Sequence, residues 1–303
     1  MKKFISAGIL FLILTFLCTI ALAGDIAVSS FSPLISARHN TLIDNGYVFM
    51  DLDKHDLTLT KGMTATLNAF IHPTGKSITV EWKSSNPDIV KVSSAGRVTA
   101  VAPGTAVIKI VSKKYMVLYD QTGYSNECYV TVQGGAKDAQ PFGSSDRVYN
   151  YDKVQLQTPT SKYSEALDIV KMSIGGYEYS LNSNKIYYHG LMFGSKDLSK
   201  AHTVIYIAGY EDGNMFGYGF DARGKSPIKT SRGITIETKK SVVEQKYGLP
   251  TYTDQYSDGG RTYEILSYHI KAPGKNLYAK TTFHIQKPKG TVSIINFYIG
   301  GLK

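Results

Sequence analysis

The sequence has 303 residues and a formal net charge of +10 at pH 7, from 34 basic and 24 acidic side chains. This length is enough for two domains with hydrophobic cores. Only one long apolar run occurs, at the N-terminus, which excludes a protein with several membrane-spanning helices. One of the two cysteines lies in that run, so a chain from which the run has been cleaved has a single cysteine and no internal disulfide.

The N-terminus has the pattern of a secretory signal peptide. Two lysines precede an apolar run over residues 4–20, and Ala-Leu-Ala at 21–23 supplies an A-x-A cleavage site. The run is short for a membrane span, and an uncleaved anchor helix is the alternative. Residues 1–23 are therefore predicted to be removed on export, leaving a secreted, periplasmic or surface-associated protein.

Residues 80–110 predict four short β-strands. In VEWK (80–83) apolar and charged side chains alternate, as a half-buried strand requires. Further apolar runs at 89–92, 98–101 and 106–110 are separated by SSAG and PG turn signals. This spacing of strands and turns indicates a β-sandwich.

The order W, SSN, V-x-V, G-x-V-T-A-V and G-T-A-x-I resembles the bacterial immunoglobulin-like group 2 domain. LTLTKGMTATLNAF upstream corresponds to its first strands and CYVTV to its closing strand, so the resemblance covers about residues 57–132. It implies a sandwich module of bacterial surface and secreted proteins that usually acts as a spacer or binding module and not as an enzyme. We predict this domain over residues 54–133, preceded by an extension at 24–53.

Two side chains are expected in the core of this sandwich. Trp82 is the only tryptophan and stands where immunoglobulin-like domains place a buried indole. Cys128 lies in the closing strand and is expected to be a small buried hydrophobe, the alternative being a reactive thiol.

A tyrosine-rich segment, KKYMVLYDQTGYSNE, separates the fourth strand from the closing strand. Loops at the ends of a sandwich commonly carry recognition, and tyrosine supplies contact area with a polar tip. Tyr115, Tyr119 and Tyr124 are therefore candidate ligand-binding residues, while a longer pair of strands with packed tyrosines is the alternative.

A Gly-, Ser- and Pro-rich stretch at 134–146 predicts a linker to a second domain over 147–303. Two hairpins are expected in the second domain. One joins residues 168–174 to 177–181 through Gly-Gly, and the other joins 203–210 to 215–222.

The clearest helix signal is GITIETKKSVVEQKYGLPT, with Thr238 as N-cap, Gly248 at the C′ position and Pro250 beyond. Three strands are expected after it, at the ranges 262–270, 277–286 and 291–299. A helix followed by an antiparallel meander predicts an α+β layer. The fold class predicted for the whole chain is therefore mainly β, with an immunoglobulin-like β-sandwich followed by an α+β domain that has an antiparallel sheet. The helix-meander element is similar to β-lactamase-inhibitor-like and outer-membrane-assembly small lipoprotein repeats.

Positive charge is concentrated in the last third. Residues 223–303 carry 14 basic against 5 acidic side chains. Such an excess favours docking on an envelope polyanion, with Lys239, Lys240, Lys287 and Lys289 as candidate contacts, and solvated strand and helix faces are the alternative.

No motif for catalysis, cofactor or metal binding is found, so none of these sites is predicted. The seven histidines lack zinc spacing, and no nucleophile elbow or phosphate loop occurs. Asp254 and Asp258 could flank a substrate only if the fold brings them together.

Three functions are compatible with these observations. The first is an exported non-enzymatic binding or adhesion protein of the bacterial surface or envelope, with a polyanion, surface glycan or protein as partner. The second is a secreted inhibitor or envelope assembly factor acting through the α+β domain. The third is an envelope hydrolase whose site has no recognisable motif.

Overall fold

The computed structural model describes residues 47–72, 78–114, 116–117, 125–134, 139–159, 162–183, 185–210, 214–271 and 277–301. The predicted signal peptide and most of the predicted N-terminal extension lie outside these residues. Within this part of the chain strands predominate, and no helix is long and apolar enough to cross a membrane.

The N-terminal half forms a β-sandwich. Its strands are β1 (Tyr47–Leu52), β2 (Asp56–Thr60), β3 (Thr64–Thr66), β4 (Ala69–His72), β5 (Glu81–Ser84), β6 (Val90–Val92), β7 (Arg97–Ala100), β8 (Gly104–Val111), β9 (Met116–Val117) and β10 (Glu127–Gln133). They form sheets ordered β2-β10-β8-β5, β4-β1-β9 and β3-β7-β6. The predicted strands are confirmed, and β1 adds a strand from the predicted extension.

Alternation along β8 and β10 builds the sandwich core. Ala106, Ile108 and Ile110 share one face and are fully buried, and Cys128 is buried against them. The burial expected for Cys128 is thus confirmed.

Trp82 is only half-buried, which corrects the expectation of a fully buried indole. Its ring packs against the edge of the sandwich core and lines a surface cleft. Gly96 explains this position, because it has φ +75° and a Cβ there would lie 2.8 Å from the indole. The tight turn at Gly96 therefore receives one side of the ring while the other stays open.

The C-terminal half contains a short 3-10 helix (Ser144–Arg147), two α-helices and eleven strands in its described residues. The α-helices and strands are β11 (Val148–Tyr151), β12 (Val154–Gln157), α1 (Tyr163–Ile174), β13 (Tyr177–Ser183), β14 (Ile186–Phe193), β15 (Thr203–Tyr210), β16 (Met215–Arg223), β17 (Ile228–Thr230), α2 (Lys240–Tyr247), β18 (Tyr252–Asp258), β19 (Arg261–Lys271), β20 (Leu277–Lys287) and β21 (Thr291–Gly301). The second predicted hairpin and the three-stranded meander are confirmed as β15–β16 and β19–β21.

Eight of these strands form one antiparallel sheet in the order β13-β14-β15-β16-β21-β20-β19-β18. A helix followed by four strands thus occurs twice, and the last strands of the two halves, β16 and β21, pair at the centre. Side chains of both helices join one core with the sheet, including Leu167 and Val243. Both helices therefore cover the same face, and no helix covers the other face in the described residues.

The first predicted hairpin is wrong in its first strand, because residues 168–174 belong to helix α1. Tyr163, Leu167 and Val170 are the buried residues, at spacings of four and three that place them on one helical face. Gly175, with φ +73°, ends the helix where the sequence predicts a turn.

Helix α2 confirms the strongest helix prediction with one shift. Its N-cap is Lys239, one residue after the predicted Thr238, whose Oγ1 instead accepts a hydrogen bond from the backbone N–H of Thr235. Val243 and Tyr247 are buried, and Gly248 takes the C-cap position.

Part of the predicted linker packs into the second core. Phe142 is 3% exposed and belongs to the core around the eight-stranded sheet. Asp146 accepts hydrogen bonds from the Arg232 guanidinium at 2.6 and 2.7 Å, and the same guanidinium contacts the carbonyls of Gln140 and Pro141. This node attaches residues 140–147 to the second half of the chain.

The sandwich and the eight-stranded sheet are in contact. Asn86, in the SSN motif, donates from Nδ2 to the carbonyl of Pro250 at 2.7 Å, and Leu249 packs at the edge of the sandwich core. Val107 and Tyr129, on the outer face of β8 and β10, are 2% and 9% exposed although neither belongs to the sandwich core. Strand β8 contacts β19, so this outer face meets the last strands of the sheet.

Candidate functional site

The open face of the eight-stranded sheet carries half-buried polar and aromatic side chains. Along β15 and β16, Ile205 and Phe220 point to the helix-covered core, while their neighbours Tyr206 and Asp221 point to the opposite face. The same alternation continues through β21, β20 and β19. The face opposite the helices is therefore mainly polar and aromatic without being fully exposed, with a small apolar cluster around Met192 and Val204 at its β14–β15 end.

A groove of about 610 Å³ runs along this face, and we call it the open-face groove. It crosses six neighbouring strands of the sheet, which in spatial order are β15, β16, β21, β20, β19 and β18. The lining side chains used below are Tyr206, Asp221, Asp254, Lys280, Asn296 and Tyr298.

Glycines in neighbouring strands hold the tyrosines of the groove close to the sheet. A Cβ at Gly219 would lie 2.7 Å from the ring and hydroxyl of Tyr206, and one at Gly217 would lie 2.4 Å from the Tyr298 hydroxyl. Any side chain at these glycines would lift the rings off the sheet. The glycines in β16 thus set the depth of the groove.

Asp221 and Asn296 form a hydrogen-bonded pair in the groove floor. The Asn296 amide donates to Asp221 Oδ1, and Thr282 Oγ1 donates to Asn296 Oδ1 at 3.2 Å. Burial raises the pKa of Asp221 above its ordinary value, against the opposing effects of the Asn296 hydrogen bond and of Arg223 and Lys280. A carboxylate held there against desolvation is a strong acceptor for a ligand.

Two histidines line the groove as neutral rings. Burial lowers the pKa of His269 to about 3 and that of His284 to about 4. His269 Nδ1 lies 2.8 Å from the Tyr278 hydroxyl and His284 Nδ1 lies 2.9 Å from the Tyr256 hydroxyl. These rings contribute polar contacts and no charge at neutral pH.

The structure brings the four candidate lysines together near the β20–β21 turn and the start of α2, away from the groove lining. Lys240 pairs with Glu264 at 2.7 Å and Lys289 with Glu237 at 2.5 Å. Lys287 lies 4.0 Å from Glu264, and the backbone of Lys239 bridges to β21. Three of these four lysines thus lie beside a glutamate that partly neutralises their charge. Docking of a polyanion at these lysines stays a prediction.

The other sequence-based candidates do not join the groove as a set. Tyr115, Tyr119 and Tyr124 lie outside the described residues. Asp254 and Asp258 both lie in β18, on the same side of a period-two strand and four residues apart, which corresponds to about 13 Å along it. Only Asp254 lines the groove.

Sequence reasoning missed the groove, although it contains a usable signal. Glycine inside a strand weakens it and commonly marks a close approach of another group. The pattern F-G-Y-G-F in β16 and the tyrosines of β15 and β21 are that signal. Strand pairing between distant segments determines which tyrosine covers which glycine. The local sequence pattern does not contain that pairing.

Residues 48–118 match the family model of the bacterial Ig-like domain (group 2). The resemblance noted from sequence is thus confirmed. The match begins at β1 instead of residue 57 and ends at residue 118 instead of 132, so it does not include the CYVTV strand. Such domains are typical of extracellular and surface proteins and indicate a surface or adhesion-type module. A comparison with curated proteins finds no match. In the described residues no group of His, Cys, Asp and Glu that could hold a metal ion is present.

Proposed function

We propose that the protein is an exported, non-enzymatic binding protein of the bacterial cell surface or envelope whose ligand occupies the open-face groove. The observation that carries this proposal is the combination of tyrosine walls with the half-buried, hydrogen-bonded Asp221–Asn296 pair in one groove. Its volume is within the range of sites that hold small ligands or segments of larger ones.

The Ig-like domain supports the proposal in two ways. Its family is typical of surface proteins, which fits export by the predicted signal peptide. It also contacts the sheet next to the groove, since Pro250, which accepts from Asn86, lies two residues before Tyr252 of the groove lining. The domain would then brace one wall of the site.

The placement of the carboxylates favours binding over glycoside hydrolysis. Asp221 lies on β16 and Asp254 on β18, with β21, β20 and β19 between them. At roughly 4.8 Å per strand they are about 19 Å apart. The two-carboxylate mechanism needs a separation of at most about 9.5 Å.

The proposal is tested by sedimentation of the purified exported chain with envelopes of the bacterium that encodes it. Tyr298→Ala should reduce binding at least tenfold, because it removes one wall of the groove. Tyr187→Ala is the matched control, since Tyr187 is 44% exposed on β14 and does not line the groove. Equal binding by both variants, with unchanged melting temperatures, would refute a ligand site in the groove.

A further inference from the structure

The charges in the open-face groove nearly cancel. Asp221 and Asp254 are the acidic groups of its lining, Lys280 is the basic one, and Arg223 lies close enough to Asp221 to act on it electrostatically. The two lining histidines are neutral, as described above. A strongly charged polymer of either sign therefore meets like charges in this groove.

The polar atoms of the groove both donate and accept. Asp221 accepts, the Lys280 ammonium donates, and Asn296, Thr282 and Ser267 do both. Hydroxyl groups also donate and accept, so a ligand with many hydroxyls can satisfy all of these atoms without carrying charge.

The tyrosine walls complement this polar floor. Tyr206 and Tyr298 lie on the glycines of β16 and still line the groove, so each presents ring surface and a hydroxyl to a ligand. The C–H faces of a pyranose ring pack on such aromatic surface while its hydroxyls reach the polar atoms beside it. From β15 to β18 the groove spans five strand spacings, about 24 Å, which exceeds one sugar ring.

We propose that the open-face groove binds a segment of an uncharged oligosaccharide. This inference rests on the proposed function and narrows its ligand to one chemical class. An extended peptide and an anionic polymer are the competing ligands that the experiment separates.

The experiment uses envelopes divided into four samples. One is left untreated, one is oxidised with periodate to cleave vicinal diols, one is digested with protease, and one is assayed in 0.5 M salt. Binding of the wild-type chain, Asp221→Ala, Tyr298→Ala and the control Tyr187→Ala is measured on each. We expect periodate to reduce wild-type binding at least tenfold, and protease and salt to change it less than twofold.

The other outcomes are distinct. Loss of binding after protease but not after periodate would overturn the oligosaccharide and leave the proposed binding function intact, with a protein ligand. Loss in high salt would also overturn it and would point to the lysines near the β20–β21 turn. Absence of groove-dependent binding to untreated envelopes would refute the proposed function itself.

A direct titration completes the test. Binding of an uncharged periodate-sensitive oligosaccharide released from the same envelopes is followed by calorimetry at low and high salt. A Kd that is independent of salt and at least tenfold weaker for Tyr298→Ala supports the inference. Failure of every uncharged fraction to bind, while intact envelopes bind through the groove, overturns it.

Discussion

Folding opposes the ionisation of Asp221. Asp221 is half-buried in the open-face groove, and desolvation there raises the pKa of its carboxyl above the ordinary value of 3.8. Folding therefore disfavours the charged form of this carboxyl. A half-buried acid whose pKa is raised in a groove is what the proposed binding function requires of Asp221.

Asp221→Asn should stabilise the protein at pH 7 while weakening ligand binding. Because the folded-state pKa is raised, the penalty is absent below the unfolded-state pKa and develops as pH rises through the folded-state pKa. Thermal unfolding of both proteins at pH 3.5 and 7 checks this, since shared titrations cancel in the difference. If Asp221→Asn were less stable than wild type at pH 7, Asp221 would not destabilise the folded protein and this prediction would be wrong.

Gly96 is required by both its backbone conformation and its neighbours. Its φ is +75°, and a Cβ there would lie 2.3 Å from the carbonyl oxygen of Leu67 and 2.8 Å from Trp82. Gly62 has φ +89° but no atom within 4 Å of the corresponding Cβ.

Alanine substitutions at Gly62 and Gly96 separate the energetic cost of backbone strain from that of overpacking. We expect Gly62→Ala to cost about 1 kcal/mol of unfolding free energy, from the strained φ alone. Gly96→Ala should cost about 1 to 3 kcal/mol more, since the backbone and the indole must move. Urea unfolding of both variants measures the difference, and equal costs would show that the turn can yield without strain.

At the scale of elements, helix α1 offers the sharpest contrast between the two interpretations of its sequence. The predicted strand begins at residue 168. Extended back by one residue, it would place Leu167 and Ile169 on the same face, because a strand has period two. In the helix they lie on different sides, and Leu167 is 4% exposed while Ile169 is 54% exposed.

Alanine at each position therefore tests the element itself. Leu167→Ala should cost about 2 to 5 kcal/mol, from lost burial and the cavity left behind. Ile169→Ala should change stability by less than about 1 kcal/mol, because its side chain is largely in water. Comparable losses at the two positions in chemical denaturation would support a strand.

The elements that sequence predicts well are those whose own pattern determines them. In strand β8 apolar side chains recur at every second position in Ala106, Ile108 and Ile110, and the end of α2 is marked by Gly248 and Pro250. Strand β18 is missed because it is an edge strand with mostly exposed polar residues, which gives no alternation to read. The open-face groove is missed because it depends on β16 pairing with β21, some seventy residues later in the chain.

At the scale of the whole molecule, the sandwich and the eight-stranded sheet share a buried surface. Val107 is 2% exposed on the outer face of β8, next to the strands that carry the end of the groove. Thr58 lies on the same outer face, since it pairs with Thr131 of β10, but it is exposed.

Val107→Lys should loosen the contact between the two parts and weaken groove binding several-fold without unfolding either core, because it places an unpaired charge in the contact surface. Thr58→Lys adds the same charge to the same face in water and should leave both properties unchanged. Ligand titration and limited proteolysis between residues 134 and 140 measure the two effects. If neither variant changes affinity, the sandwich does not brace the groove.

Strands β16 and β21 meet in the middle of the sheet, and the groove draws Tyr206 and Asp221 from one half and Asn296 and Tyr298 from the other. A ligand lying there ties together segments that are far apart in the chain and recognises only the folded form. At one hundred times its Kd it would add about 2.7 kcal/mol to the free energy of unfolding. Because a tighter ligand raises the melting temperature more at a given concentration, melting curves of the unlabelled protein can rank a library of sugars by affinity.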